Sequence, residues 1–394
     1  MSVNLYNSSN NNFCRKYLVL DNNVKIDPED FLIAHNNELG VLAEQLLLYD
    51  RITFKVYGEN IPLTFLIKNL GIKQTEELLS DGTISFMLWT NDIVHTIKHI
   101  PGVIPILPMR YNSPVHSDPE ESINQGLNWL SNYKDNKSKF KSLIKKANNS
   151  YLLPAFEIAT KSKDHIINLY KDNSLSVVGI NNNESIDNIQ NYDVKKKLNS
   201  IASEIYEISL LAEFNLSSNN LTHTNILKQS LDNIQKISNI NENFTNLLNI
   251  EGIPDIKLIA LSNPNIINEI TKIRKSKSSS EFRKWIYEAS DTGNKSILIK
   301  SYIDSIAKPV SFLKKNPIRF LKSITLFGIG AGIGAILGGN TGAAIGASVS
   351  AALNAGSGIS LNLFDEFVLN KLAEGWNPKL FIEDIRKYSN INGA

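Results

Sequence analysis

Three residues with metal-binding side chains, Asp92, His95 and His99, are spaced by three and four positions. Residues at this spacing lie on one face of a helix, and imidazole and carboxylate groups are ligands of transition metals. His116 or Asp118 could supply a further ligand. The H-E-x-x-H arrangement of zinc proteases does not occur in the sequence. We therefore favour structural or surface roles for these residues, with a metal site as the alternative.

The sequence offers little for covalent or cofactor chemistry. Cys14 is its one cysteine, so a disulfide within the chain is excluded, and no G-x-S-x-G motif occurs. The stretch from Gly330 to Ala335 matches the pattern G-x-G-x-x-A. The acid that would hold the ribose is missing, because the next acidic residue is Asp365. We expect no cofactor, and a non-enzymatic role is favoured over an enzymatic one.

Composition narrows the class of protein. Of the 394 residues, 42% are hydrophobic and 20% are charged, which excludes wholesale disorder and a polytopic transporter. The formal net charge of +2 provides no basic field for a nucleic acid, so no nucleic-acid partner is expected. The N-terminus lacks a basic region followed by an apolar core, which predicts no secretory signal and a cytoplasmic location.

The most informative pattern lies in residues 323–364, a run of 42 residues without a charged side chain. Glycine costs about 1 kcal/mol relative to alanine in a soluble helix. Glycine at every fourth position, however, forms a groove that another backbone can approach closely. Such a ladder predicts a glycine zipper, and it resembles the zippers of membrane-associated and pore-forming bacterial proteins. Its packing surface would be Gly330, Gly334, Gly338, Gly342 and Gly346.

The sequence of this run is compatible with two topologies. A spanning helix needs about 20 apolar residues, and segments 324–345 or 342–363 would provide them. A helical hairpin that turns at residues 338–340 is the alternative, inserted in a membrane or packed in a core.

A basic, aromatic-bearing segment precedes the run. This composition suits an anionic membrane surface, and an ordinary amphipathic helix with a solvated face is the alternative. The residues predicted to face the lipid are Lys314, Lys315, Arg319 and Lys322.

The fold class that we predict is mainly α, with a small N-terminal α/β unit, a central helical bundle and a C-terminal zipper helix or hairpin. The corresponding segments are a flexible N-terminus, an α/β domain, a helical domain and a C-terminal region with the basic approach, the zipper and an amphipathic tail. Their bounds are residues 1–26, 27–115, 116–308 and 309–394.

Local patterns place individual elements. Asp27 and Pro28 should begin a helix that ends near Tyr49, and RITFKV (51–56) and ISFMLW (84–89) should form strands. Residues 61–70 and 73–80 should form short helices.

Further helices are predicted along the central part of the chain. Capping boxes should begin helices at Ser117/Glu120, extending to about Tyr133, and at Ser278/Glu281. A buried stripe should run along Leu198, Ile201 and Ile205.

Three phrases, LLLYDRITF, TEELLSDGTISF and SSSEFRKWIYE, resemble segments of uncharacterised bacterial proteins of the kind encoded near mobile elements and phage-defence genes. The resemblance implies an immunity or toxin role. Together with the glycine ladder it predicts an effector that inserts into or assembles on the inner membrane, with lipid or a second copy of the chain as partner. The alternative is a soluble scaffold in which the run is a core hairpin or an oligomer interface.

Overall fold

The computed structural model describes residues 4–19, 26–90, 114–131, 133–214, 216–218, 256–263, 265–291 and 384–385. The described chain is mostly helical, as predicted, and it contains a small sheet whose strands are parallel. It divides into two compact units. The first, the sheet unit, comprises residues 4–26 and 51–237, and the second, the helical unit, comprises residues 1–3, 27–50 and 238–394. Each unit combines segments that are distant in the sequence.

Where the structure describes it, the sheet unit contains five parallel strands in the order β4-β3-β2-β1-β5. From β1 the chain builds outward through β2 and β3 to β4, and it then returns to place β5 on the other side of β1. This order gives an open sheet whose strands all end at the same edge. The strands are Asn4–Asn7 (β1), Arg51–Val56 (β2), Ile84–Leu88 (β3), Tyr151–Leu152 (β4) and Ser217–Ser218 (β5).

The central strands form because their side chains are buried on both faces. Every residue of β3 is buried, which is typical of parallel strands covered by helices. Phe54 pairs in register with Phe86, and their ring centroids are 6.2 Å apart. The strand RITFKV therefore has the predicted bounds, and the second predicted strand ends one residue earlier than expected.

Six helices and several short 3-10 turns complete the described part of the sheet unit. These helices come from the segments between the strands. They are Ser9–Tyr17 (α1), Ile61–Ser80 (α3), Pro119–Leu127 (α4), Lys137–Asn148 (α5), Phe156–Lys171 (α6) and Tyr192–Phe214 (α7), and the 3-10 turn Pro114–His116 precedes α4.

Two helices show how local sequence sets their ends. Helix α3 is kinked at Gly71, whose φ of 80° and ψ of 165° separate the two short helices that were predicted. Helix α4 begins with the Asp118 carboxylate accepting from the Glu120 amide at 2.9 Å, so the predicted cap at Ser117 is wrong by one residue. It ends at Leu127 and not near Tyr133, because 3-10 hydrogen bonds tighten the following turn.

The buried stripe of α7 is confirmed where its side chains are described. Leu198, Ile201 and Ile205 are each at most 1% exposed. This helix packs against α6, whose Ala159 and Ile166 are fully buried.

The helical unit contains α2 (Pro28–Leu48), α8 (Ile256–Ser262), α9 (Asn265–Lys275) and α10 (Lys277–Asp291). Asp27 caps α2 as predicted, with its carboxylate accepting from the Glu29 amide at 2.7 Å. The predicted cap of α10 is wrong by two residues: the Ser276 hydroxyl accepts from the Ser279 amide, and Ser278 instead donates to Asp384 at 2.7 Å.

The prediction of a flexible N-terminus is wrong for residues 4–19. β1 lies between β2 and β5, and Leu5 pairs with Ile52 in a fully buried position. The Asn7 side chain accepts from the Asn10 amide at 2.9 Å and so stabilises the start of α1. Asparagines of this segment therefore lie at the end of β1 and at the start of α1.

Candidate functional site

Charged and polar side chains that could bind a ligand or transfer a proton lie close together where strand β2 ends. In open parallel sheets, ligands bind outside the carboxyl ends of the strands. Residues Tyr57, Gly58, Glu59 and Asn60 follow β2 directly and connect it to α3.

Four of the side chains near this loop form what we call the edge cluster, namely Arg15, Tyr57, Glu59 and His116. The Arg15 Nη2 atom lies 3.2 Å from Glu59 Oε2, and both side chains are 32% exposed. The Arg15 guanidinium lies 5.2 Å from the Tyr57 ring centroid, and the His116 ring lies 4.9 Å from the Tyr57 ring. The cluster thus brings together residues from α1, the loop after β2 and the turn before α4.

The geometry of the edge cluster favours glycine at position 58 for two reasons. Its φ of +77° is a conformation that side chains with a Cβ rarely adopt. A Cβ at this position would also stand 2.6 Å from the His116 Cε1 atom and 3.1 Å from Arg15 Nη2. The absence of a side chain therefore allows Arg15 and His116 to approach the same point of the backbone.

A buried hydrogen-bond chain holds the loop in place. The side-chain amide of Asn60 donates to the Tyr151 hydroxyl at 2.8 Å, and the Ser122 hydroxyl donates to the Gly58 carbonyl oxygen at 2.5 Å. The Tyr151 and Ser122 hydroxyls are 3.0 Å apart. Because Ser122 uses its proton on Gly58, Tyr151 must donate to Ser122. Burial raises the pKa of Tyr151, so this hydroxyl keeps the proton that the chain requires.

A lowered pKa favours the neutral form of the His116 imidazole. Burial lowers its pKa from the ordinary value of 6.5, and the Arg15 charge adds to this effect, whereas the Glu59 carboxylate opposes it. Its Nδ1 atom is buried and has no hydrogen-bond partner within the described residues. A neutral imidazole, a guanidinium and a carboxylate can bind an oxyanion or move a proton.

A second polar group lies at the ends of β1 and β3. The Trp89 indole donates to the buried Tyr6 hydroxyl at 2.9 Å, and Lys55 Nζ lies 3.4 Å from the Trp89 ring centroid. The Tyr206 ring from α7 packs edge-on against Trp89 at 4.9 Å. Burial raises the pKa of Tyr6, and the Glu207 charge raises it further. These side chains fix the strand ends to α7.

Most of the residues singled out by the sequence lie outside the described part of the chain. They include the metal candidates Asp92, His95 and His99 and the run 323–364 with its glycine ladder. The basic residues before that run lie outside it too, namely Lys314, Lys315, Arg319 and Lys322.

Of the predicted auxiliary ligands, His116 belongs to the edge cluster, and Asp118 caps α4. Among residues that the structure describes, no group of three or more His, Cys, Asp or Glu side chains is arranged to hold a metal ion. The same part of the chain contains no helix whose length and apolar character would allow it to cross a bilayer. Cys14 is fully buried, with Sγ 3.5 Å from Asn10 Oδ1.

Sequence reasoning missed Arg15, Tyr57 and Glu59. One signal was available: Y-G-E-N follows a strand whose end was predicted correctly, and glycine beside polar residues at the end of a buried strand indicates a ligand-binding edge. Nothing in the sequence pointed to Arg15, which precedes Glu59 by 44 positions.

The fold and the cluster together define an α/β unit with an open parallel sheet and a polar group at its carboxyl edge. Comparison with protein-family models, curated proteins and solved structures finds no match to the chain.

Proposed function

We propose that this chain is a non-enzymatic bacterial effector whose C-terminal zipper segment inserts into, or assembles on, the inner membrane. The observation that supports the proposal is the uncharged run 323–364, in which glycine occupies every fourth position from Gly330 to Gly346. Glycine at this spacing is costly in water and favourable where backbones pack closely in lipid. The basic approach from Lys314 to Lys322 would contact anionic headgroups.

Substitution of two ladder glycines tests this function. Gly338→Leu combined with Gly342→Leu fills the groove, so leakage of vesicles that contain anionic lipid and self-association should both be lost. The matched control is Gly332→Leu combined with Gly358→Leu, which adds the same apolar volume off the ladder. Because both variants gain equal hydrophobicity, a loss confined to the ladder variant indicates close packing. Equal leakage from the wild type and the ladder variant would defeat the proposal.

The alternative is a soluble scaffold or interaction protein in which the run packs as a core hairpin or a homo-oligomer interface. Cell fractionation separates the two functions. Protein that stays entirely in the cytosol and binds no lipid in any state favours the scaffold, whereas recovery with the inner membrane favours the effector. A phage-defence or toxin role predicts growth arrest on expression, and that arrest should disappear in the ladder variant.

A further inference from the structure

Only one of the two donors on the Nε–Nη2 edge of the Arg15 guanidinium makes a hydrogen bond within the described residues. The Nε and Nη2 hydrogens of a guanidinium point in parallel and match two oxygens of a carboxylate or a phosphate. Glu59 accepts through one oxygen, from Nη2 at 3.2 Å. Arg15 Nε is buried and has no hydrogen-bond partner in the part of the chain described here. A buried donor in this state is costly, and an anion that lies side-on would satisfy both donors.

His116 adds a second unsatisfied atom at the same point. Its Nδ1 atom and Arg15 Nη2 each lie 3.1 Å from the position that a Cβ on Gly58 would occupy. Two nitrogen atoms so close to one point can donate to the oxygens of a single anion. The neutral imidazole can carry its proton on Nδ1 and serve as this second donor.

The surroundings of the cluster fit a ligand site. It lies at the carboxyl edge of an open parallel sheet, the usual position of ligands in such folds. The Arg15 and Glu59 side chains are one-third exposed, so a small molecule has access to them. The loop that presents Glu59 is fixed at Gly58 by the buried Ser122 hydroxyl.

We propose that the edge cluster binds a small ligand through a phosphate or carboxylate group, which replaces Glu59 as the partner of Arg15. Arg15 is the bidentate donor, and His116 donates to a remaining oxygen. Glu59 occupies the guanidinium in the absence of ligand and competes with the incoming anion. This competition distinguishes a ligand site from a structural ion pair, because removal of the Glu59 charge then strengthens binding.

The experiment is calorimetric titration of the full-length protein with inorganic phosphate, acetate and a nucleoside monophosphate, at constant ionic strength in chloride. Arg15→Met should weaken phosphate binding at least tenfold. Glu59→Gln should tighten it several-fold, because the uncharged amide competes less well for Arg15. The matched control is Lys146→Met, which breaks the comparable Lys146–Glu76 pair of 3.8 Å and should leave phosphate binding unchanged.

Several outcomes would overturn the proposal. They are the absence of binding by all three anions, phosphate affinity that survives Arg15→Met, weaker binding by Glu59→Gln, or an equal loss in the Lys146 control. If Arg15→Met does not fold, the tighter binding expected for Glu59→Gln and the unchanged binding expected for the Lys146→Met control still decide the question. A preference between phosphate and acetate identifies the group that the ligand carries. None of these results depends on membrane leakage, so the effector proposal stands or fails separately.

Discussion

The Arg274 guanidinium donates to the carbonyl oxygen of Tyr49 at 2.6 Å, across 225 positions of sequence. It also donates to the carbonyl oxygens of Asp50, at 2.6 Å, and Leu46. Arg283 adds a hydrogen bond to the Leu47 carbonyl oxygen at 3.3 Å. The last carbonyl groups of a helix lack partners within it. The last turn of α2 contains no basic residue, so two arginines from α9 and α10 satisfy these groups and complement the helix dipole.

Replacement of Arg274 should destabilise the protein strongly. The side chain is 6% exposed, so its loss leaves buried carbonyl groups without a donor. We expect Arg274→Met to lower the free energy of unfolding by about 2 to 3 kcal/mol. The unfolding free energy of Arg274→Lys should lie between those of the wild type and Arg274→Met, because an ammonium keeps the charge but not the planar set of donors. Urea denaturation measures both changes.

Lys272 on the same helix provides the control for Arg274. Its side chain is 84% exposed and pairs with Glu269 at 3.0 Å. Lys272→Met should therefore change the unfolding free energy by less than about 0.5 kcal/mol. Equal effects of the Lys272 and Arg274 substitutions would contradict the capping role of Arg274.

The sequence predicted those elements whose ends depend on neighbouring residues. Asp27 and Pro28 begin α2, and RITFKV forms β2 with the predicted bounds, although residues 52–54 are all buried and do not alternate with exposed positions. β1 was missed because Asn4–Asn7 becomes a strand only through pairing with β2 and β5. The edge cluster was missed for the same reason, since Arg15 and His116 meet only after the sheet has formed. Tertiary pairing, and not local propensity, decides these positions.

Gly126 is a position where an added methyl group should be harmful despite its helical setting. A Cβ there would stand 2.4 Å from the Asn60 carbonyl oxygen, which belongs to the backbone and cannot yield as a flexible side chain would. Alanine is otherwise favoured over glycine in a helix by about 1 kcal/mol. We expect the clash to prevail, so that Gly126→Ala destabilises the protein by about 2 kcal/mol.

Gln125, the exposed residue beside Gly126, is the control. Gln125→Ala should change stability by less than about 0.5 kcal/mol. A Gly126→Ala variant that is as stable as the wild type would mean that α4 does not pack against the loop at Asn60.

Tyr151→Phe tests the hydrogen-bond chain that fixes the loop of the edge cluster. The substitution removes the acceptor of the Asn60 amide and the donor to Ser122. We expect a loss of about 1 to 2 kcal/mol of unfolding free energy. Phosphate affinity should also fall, because the loop that carries Gly58 and Glu59 becomes less well positioned. A variant that matches the wild type in both calorimetry and denaturation would show that the chain is dispensable.

Stability should depend on pH through His116 and His165. Burial lowers the pKa of each imidazole from 6.5, aided at His116 by Arg15 and opposed by Glu59 there and by Asp172 at His165. Below about pH 6.5 the unfolded chain therefore binds more protons than the folded chain.

The unfolding free energy should consequently decrease as the pH falls from 7 toward 5. His116→Gln and His165→Gln should each make this decrease shallower, and their effects should add, because neither side chain is among the charges that shift the pKa of the other. Denaturant midpoints measured at half-unit pH intervals give the slopes. A slope identical to that of the wild type in both variants would show that neither histidine is held neutral in the folded protein. Saturating phosphate should weaken the dependence in the wild type and in His165→Gln but not in His116→Gln, because a bound anion beside His116 favours the imidazolium and brings its pKa back toward the ordinary value.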